Sequence, residues 1–204
     1  MPNVFYFGTP VPTVGGCILA AVIAYLLGSV SGAIVSSRVG HHEDIRNYGS
    51  GNAGMTNALR TYGIRHATIV AAMDMLKTVV AILIAKWLIG WHWGFIVGSC
   101  CAIAGHLFPI YYGFKGGKGV SCTCGAIFLT YTWQSIICYI LTLTIIGTTK
   151  YVSLGSICLM LLYPVSLIGA IGLWNIAIVH AITCLKMRKP AWPFWLHAWL
   201  FPAC

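Results

Sequence analysis

Long apolar runs separated by short polar stretches set the pattern of this chain. The first run, roughly Gly15 to Ser37, is long enough to cross about 30 Å of hydrocarbon as a helix. A second extends from Arg65 to Ile89 and a third from Trp93 to Tyr112. The stretch from Val120 to Thr149 is too long for one perpendicular span. It reads as one tilted helix or as two short ones broken near Thr130-Tyr131-Thr132. Two further short spans are expected over Leu154 to Leu167 and Ile168 to Leu185, with a break near Tyr163-Pro164. A basic tail, Lys186, Arg188 and Lys189, leads into a Trp- and Pro-rich end that reads as interfacial. The pattern therefore predicts an all-α, polytopic transmembrane helical bundle of seven spans, forming one domain over residues 1–204.

Composition closes off the soluble alternative. The chain is 59% hydrophobic and only 7% charged, against about 25% charge in a soluble domain. Its 12 Lys and Arg face 3 acidic residues, a net charge of +9. With the N-terminus outside and seven spans, Arg38, Arg46, Arg60, Arg65, Lys115, Lys118, Lys150, Lys186, Arg188 and Lys189 all fall on the cytoplasmic side, as does the C-terminus. Lys86 is the outside exception. The acidic residues are Glu43, Asp44 and Asp74, too few for a dicarboxylate metal cluster or a paired-carboxylate mechanism. The 9 cysteines lie mostly in apolar runs, where Cys acts as a small hydrophobe. No basic region precedes the first run, so it reads as a retained helix rather than a cleaved signal. No nucleic-acid module is visible.

Two polar loops break the apolar pattern. Tyr48 to Arg60 holds three glycines, two asparagines, a serine, a threonine and an arginine. Glycines permit left-handed backbone and close approach, and successive N–H groups in such a turn can nest an anion. Ser50, Gly51, Asn52, Gly54, Thr56 and Asn57 supply the donors of this island, and Arg60 a planar fork suited to phosphate. The second loop is Gly113-Phe114-Lys115-Gly116-Gly117-Lys118-Gly119. It is not a nucleotide P-loop, because Lys118 is followed by Gly119 and not by the hydroxyl that binds magnesium. Lys115 and Lys118 bring point charges, while Gly116, Gly117 and Gly119 bring backbone donors. Two cationic loops on one membrane face imply two phosphate groups, or one clamped from both sides. His106 and His180, near the cytoplasmic ends of their spans, are candidate bases or phosphate donors. Asp74 and Lys77, three apart on one helical face, read as a self-neutralising pair that anchors a neighbouring loop.

These residues resemble a known family, the bacterial integral-membrane acyl-phosphate:glycerol-3-phosphate acyltransferases (the PlsY family). The resemblance rests on Tyr48-Gly49-Ser50-Gly51-Asn52 through Thr56-Asn57-Ala58-Leu59-Arg60 and on Asp74 to Lys77. It continues through Gly105-His106-Leu107-Phe108-Pro109, Phe114 to Val120 and Tyr151-Val152-Ser153-Leu154. It implies transfer of an acyl group from acyl phosphate to the 1-hydroxyl of glycerol-3-phosphate, giving lysophosphatidic acid and inorganic phosphate. It implies a multi-pass protein of the bacterial inner membrane, acting among membrane lipids. The residues themselves call for no cofactor or metal, and no nucleic acid or obligate protein partner is expected. The resemblance assigns to the site Ser50, Arg60, one lysine of the second loop, Ser153 and His180, and leaves Lys118 and Lys115 undecided. The chain departs from the family at its C-terminus, where Thr183 replaces an asparagine three residues after His180. A transporter or binding protein for an organic phosphate is the alternative. It would call for inverted repeats and midplane charges, whereas this chain has no internal repeat and gathers its charge on one face.

Overall fold

The computed structural model of the chain describes residues 12–130, 132–149, 151–152 and 154–166. Among these residues there are helices and turns and no strands. Helix α1 covers Val14–Gly28 and opens on Thr13, whose hydroxyl accepts from the Gly16 amide at 3.2 Å. Helix α2 covers Gly32–His41. A 3₁₀ turn at Ile45–Asn47 and helix α3, Met55–Tyr62, follow within the polar loop. Helix α4 is Ile64–Ile89, α5 is Trp91–Leu107, and a second 3₁₀ turn sits at Ile110–Tyr112. Helix α6 is Val120–Phe128, α7 is Thr132–Thr149, and α8 is Leu154–Ser166.

Among the described residues, four stretches are long and apolar enough to cross a membrane: Val14–His41, Ile64–Ile89, Trp91–Tyr112 and Thr132–Thr149. The protein is an integral membrane protein of the all-helical class. Of the two readings for Val120 to Thr149, the broken one holds, with the interruption between Phe128 and Thr132. The span expected over Ile168 to Leu185 and the basic tail lie outside the described residues.

The first span is not the continuous helix its apolar run suggests. It breaks at Ser29-Val30-Ser31, and the cause lies on α4. In hydrocarbon a helix break is tolerated only where other groups satisfy the freed backbone. Asp74 Oδ1 accepts from the Gly32 amide at 3.3 Å, and Lys77 Nζ donates to the Val30 carbonyl at 2.5 Å. Ser31 Oγ caps α2 by accepting from the Ile34 amide at 3.4 Å. Asp74 and Lys77 are themselves paired at 2.9 Å, with side chains 1% and 9% exposed. The polar loop also differs from expectation, because α3 lies inside it. Met55, Ala58, Leu59 and Tyr62 recur at helical spacing, and Ala58 joins a buried cluster with Ala33, Ile34, Ile45, Ala53 and Val70.

The chain divides into two compact units, residues 1–136 and 137–204. In the first, small residues let the helices approach closely. Ala24, Ala81 and Ala102 join α1, α4 and α5, and Gly125 of α6 abuts the backbone of Met75 on α4. In the second unit, α7 and α8 pair antiparallel. Gly155 packs on Ile146, and Cys138 Sγ lies 3.7 Å from Ser166 Oγ.

Removing one partner of a buried ion pair costs about 3–5 kcal/mol, because the other charge is left stranded. Asp74→Ala is therefore expected to lower the thermal unfolding temperature in detergent sharply. Asp74→Ala combined with Lys77→Met is expected to recover most of that loss. A double variant no more stable than Asp74→Ala would show that the pair carries no such strain.

Candidate active site

The island is held in shape by one buried amide. Asn57, on α3, is 1% exposed. Its Nδ2 donates to the Ile45 carbonyl at 3.2 Å and the Tyr48 carbonyl at 3.0 Å. Its Oδ1 accepts from the Ser50 amide at 2.8 Å and the Ser50 hydroxyl at 3.2 Å. All its hydrogen-bonding capacity is spent on the loop. Gly49 has φ +60°, and a Cβ there would run into that same Oδ1, so only glycine fits. The loop presents Ser50 and Gly51 to solvent, with Asn52 half-buried and Gly54 buried as the cap of α3.

No side chain caps α3. The amides of Met55 and the half-buried Thr56 are thus left without a capping side chain, at a helix end whose dipole favours an anion. Arg60 stands further along the same short helix. It is exposed and has no hydrogen-bond or ion-pair partner among the described residues.

The Lys/Gly loop is brought to the same end of the first unit. Its backbone turns through two left-handed residues, Gly113 at φ +66° and Phe114 at φ +61°. The Gly117 amide donates to the His106 carbonyl at 3.1 Å. A Cβ on Gly117 would collide with His106 Nε2 and with the carbonyl of Ala53 in the island. Gly117 is thus the joint between the loops, and the missing side chain lets them meet. Gly116 crosses the end of α5 equally closely, and Gly119 caps α6 at φ +82°. Lys115 and Lys118 remain exposed beside this joint.

His106 is 3% exposed and forms the floor of the joint. Lys77 Nζ lies 3.0 Å from its Nδ1, and Asp74 Oδ1 lies 3.5 Å from it. Nδ1 thus faces both members of the buried pair, the ammonium and the carboxylate. The sequence marks His106 as a candidate base or phosphate donor, and the structure places it beneath the loop as a support. The ligand atoms of Asp74, His106 and Cys122 lie within 4.8 Å of one another. Lys77 already places its ammonium between the Asp and the His, so this cluster holds its own cation. Ser153, His180 and Thr183 lie outside the described residues.

Sequence reasoning passed over Asp44 and Arg46. Arg46 Nε and Nη2 meet Asp44 Oδ1 and Oδ2 at 3.0 and 2.8 Å, and Nη1 donates to the Tyr112 carbonyl at 2.7 Å. Arg38 adds a longer contact to Asp44 at 3.3 Å. The hydrogen bond from Arg46 holds the Asp44 carboxyl below its usual value of 3.8, at about 2. No periodicity announces these contacts, because the carbonyl partner is 66 residues away.

The helical membrane scaffold with two cationic loops joined at one end defines an all-helical integral-membrane protein. Comparison with known proteins narrows this class. The sequence profile of the family Glycerol-3-phosphate acyltransferase matches residues 18–193. A glycerol-3-phosphate acyltransferase of Thermoanaerobacter sp. is 42% identical over 140 residues, covering 69% of this chain and 70% of that one. The enzyme of the same name from Halalkalibacterium halodurans is 38% identical over 158 residues, covering 76% of each. A crystal structure of PlsY, an integral membrane glycerol 3-phosphate acyltransferase, in its glycerol 3-phosphate form, is also similar. It has a TM-score of 0.67 at 29% identity and covers 91% of this chain and 100% of that one. The chain belongs to the glycerol-3-phosphate acyltransferase family and is an acyltransferase.

The Asp44 carboxylate stabilises the fold while it is ionised. That contribution is complete above about pH 4 and is lost as pH falls toward 2, because the folded value lies below the unfolded one. Unfolding temperatures measured from pH 5 down to 2 are expected to fall more steeply for the wild type than for Asp44→Asn. Parallel curves would show that the Arg46 contact does not act on Asp44.

Proposed function

We propose that this protein transfers a fatty acyl group from acyl phosphate to the 1-hydroxyl of glycerol-3-phosphate. The observation that carries the reading is the joint at Gly117, which brings an arginine-bearing loop and a two-lysine loop to one membrane end. Both substrates present phosphate, and the acyl chain belongs in lipid. Solved relatives in a glycerol 3-phosphate form and a lysophosphatidic acid form agree with the substrate and the product of this step.

The chemistry asks little covalent work of the protein. The C–O bond forms between the glycerol 1-oxygen and the acyl carbon, and the acyl–phosphate bond breaks with its electron pair leaving on phosphate. The hydroxyl proton passes to a base, for which His180, which the resemblance assigns to the site, is the candidate. Donors aimed at the developing oxyanion and alignment of hydroxyl with carbonyl supply the rate. In this reading Arg60 and Ser50 act at the reacting groups. Gly51, Asn52, Gly54 and Thr56 cradle phosphate with their donors, and Asn57 holds their loop. One of Lys118 and Lys115 neutralises the departing phosphate, with Gly116, Gly117 and Gly119 donating through the backbone. His106 supports that loop from below, and Ser153 and Thr183 complete the site. The same reading takes the chain as one domain of seven spans in the bacterial inner membrane, N-terminus outside and C-terminus cytoplasmic. The positive-inside distribution of its Lys and Arg supports that orientation.

Purified protein given long-chain acyl phosphate and glycerol-3-phosphate is expected to release phosphate and lysophosphatidate together, with acyl-CoA inert. Arg60→Lys keeps the charge but loses the fork. A lost charge-assisted hydrogen bond costs about 1.5–3 kcal/mol, so kcat/KM for glycerol-3-phosphate should drop roughly ten- to more than a hundredfold. Equal turnover with acyl-CoA would contradict the donor, and a wild-type value in Arg60→Lys would remove Arg60 from the site.

A further inference from the structure

We propose that Arg46 is a positioning residue for acyl transfer, fixing the separation of the island and the Lys/Gly loop by tethering the start of one to the scaffold of the other. The inference rests on the two-loop reading above. Its near end is rigid. Asp44 Oδ1 accepts from the Arg46 amide at 3.0 Å as well as from its Nε at 3.0 Å. Between them, the Ile45 amide donates to Ser37 Oγ of α2 at 3.3 Å, and the Ile45 carbonyl accepts from Asn57. The segment 44–46 is thus stitched to α2, to α3 and through Asn57 to the island.

The far end is the launch point of the second loop. Nη1 donates to the Tyr112 carbonyl at 2.7 Å and reaches the Lys115 carbonyl at 3.5 Å. Tyr112 ends the 3₁₀ turn, immediately before the left-handed pair Gly113 and Phe114 that swings the chain toward Lys115 and Lys118. The guanidinium side chain is 24% exposed, and each of its three nitrogens already donates to the chain itself. A planar fork can satisfy a carboxylate on one edge and a carbonyl on another at the same time. A lysine ammonium at the end of a flexible stem cannot hold that geometry.

A device of this kind acts on registration and not on grip. Each loop keeps its own donors when the tether is cut, so each phosphate still binds. The hydroxyl and the acyl carbonyl then lose alignment, and misplacement by about 1 Å can cost about a hundredfold in rate.

The test uses Arg46→Ala and Arg46→Lys in the full chain in lipid nanodiscs. Expected for both is a kcat lower by about ten- to a hundredfold, with KM for acyl phosphate and glycerol-3-phosphate within about threefold of wild type. Methylguanidinium, but not methylammonium, is expected to restore part of kcat to Arg46→Ala. Amide exchange over residues 113–118 should accelerate in both variants. A wild-type kcat in Arg46→Lys, a rise in KM with kcat intact, or unchanged exchange in 113–118 would each overturn the inference. A wild-type protein that fails to transfer an acyl group would overturn the two-loop reading instead, and amide exchange would still decide on Arg46.

Discussion

The buried pair of Asp74 and Lys77 is the constraint on which the rest of the first unit depends. Neither charge would be tolerated alone among apolar helices, and their mutual contact at 2.9 Å answers only part of the desolvation cost. Backbone answers a further part, while Asp74 Oδ2 stays buried without a hydrogen-bond partner among the described residues. Gly32 gives its amide to the aspartate, Val30 gives its carbonyl to the lysine, and the first span breaks between them as a result. The same lysine reaches His106, so one side chain joins three elements: the break, α4 and the end of α5. This is a use of buried charge for placement more than for stability.

From His106 the placement passes to the loops. Its carbonyl takes the Gly117 amide, and its ring fills the space a side chain on Gly117 would need. The Ala53 carbonyl closes the same joint from the island side. Arg46 makes a second crossing at the rim and Asn57 fixes the island internally. Arg60, Lys115 and Lys118 remain exposed. The polar residues of this region divide into those spent on the chain and those held out from it. The proposed anion site draws on that division more than on the number of donors.

Much of this was legible in the sequence and some was not. The second span was expected from Arg65 to Ile89 and is Ile64–Ile89, because hydrocarbon thickness and apolar length leave little freedom. The break near Thr130 to Thr132 was visible as a polar interruption. The break at Ser29 to Ser31 was not, since its cause is a pair of side chains on another helix. Helix α3 left a signal in Met55, Ala58, Leu59 and Tyr62, but two turns are easily read as loop. Asn57 looked like a ligand donor by type, and only the three-dimensional arrangement shows its amide consumed within the island. Arg46 looked like one more cytoplasmic cation, because a bond to a backbone carbonyl leaves no mark on residue identity. The pairing of Asp74 with Lys77 as a loop anchor was readable from their spacing alone.

The central claim is that the island and the Lys/Gly loop form one site. A double-mutant cycle on kcat/KM for acyl transfer tests it most directly, with Arg60→Ala as one change and Lys115→Ala/Lys118→Ala as the other. Groups that act as a unit are non-additive, so the account predicts a coupling energy above about 0.5 kcal/mol. The combined variant should lose much less than the product of the separate losses. Additivity within about 0.3 kcal/mol would mean that the loops serve separate ligands, and would contradict the account.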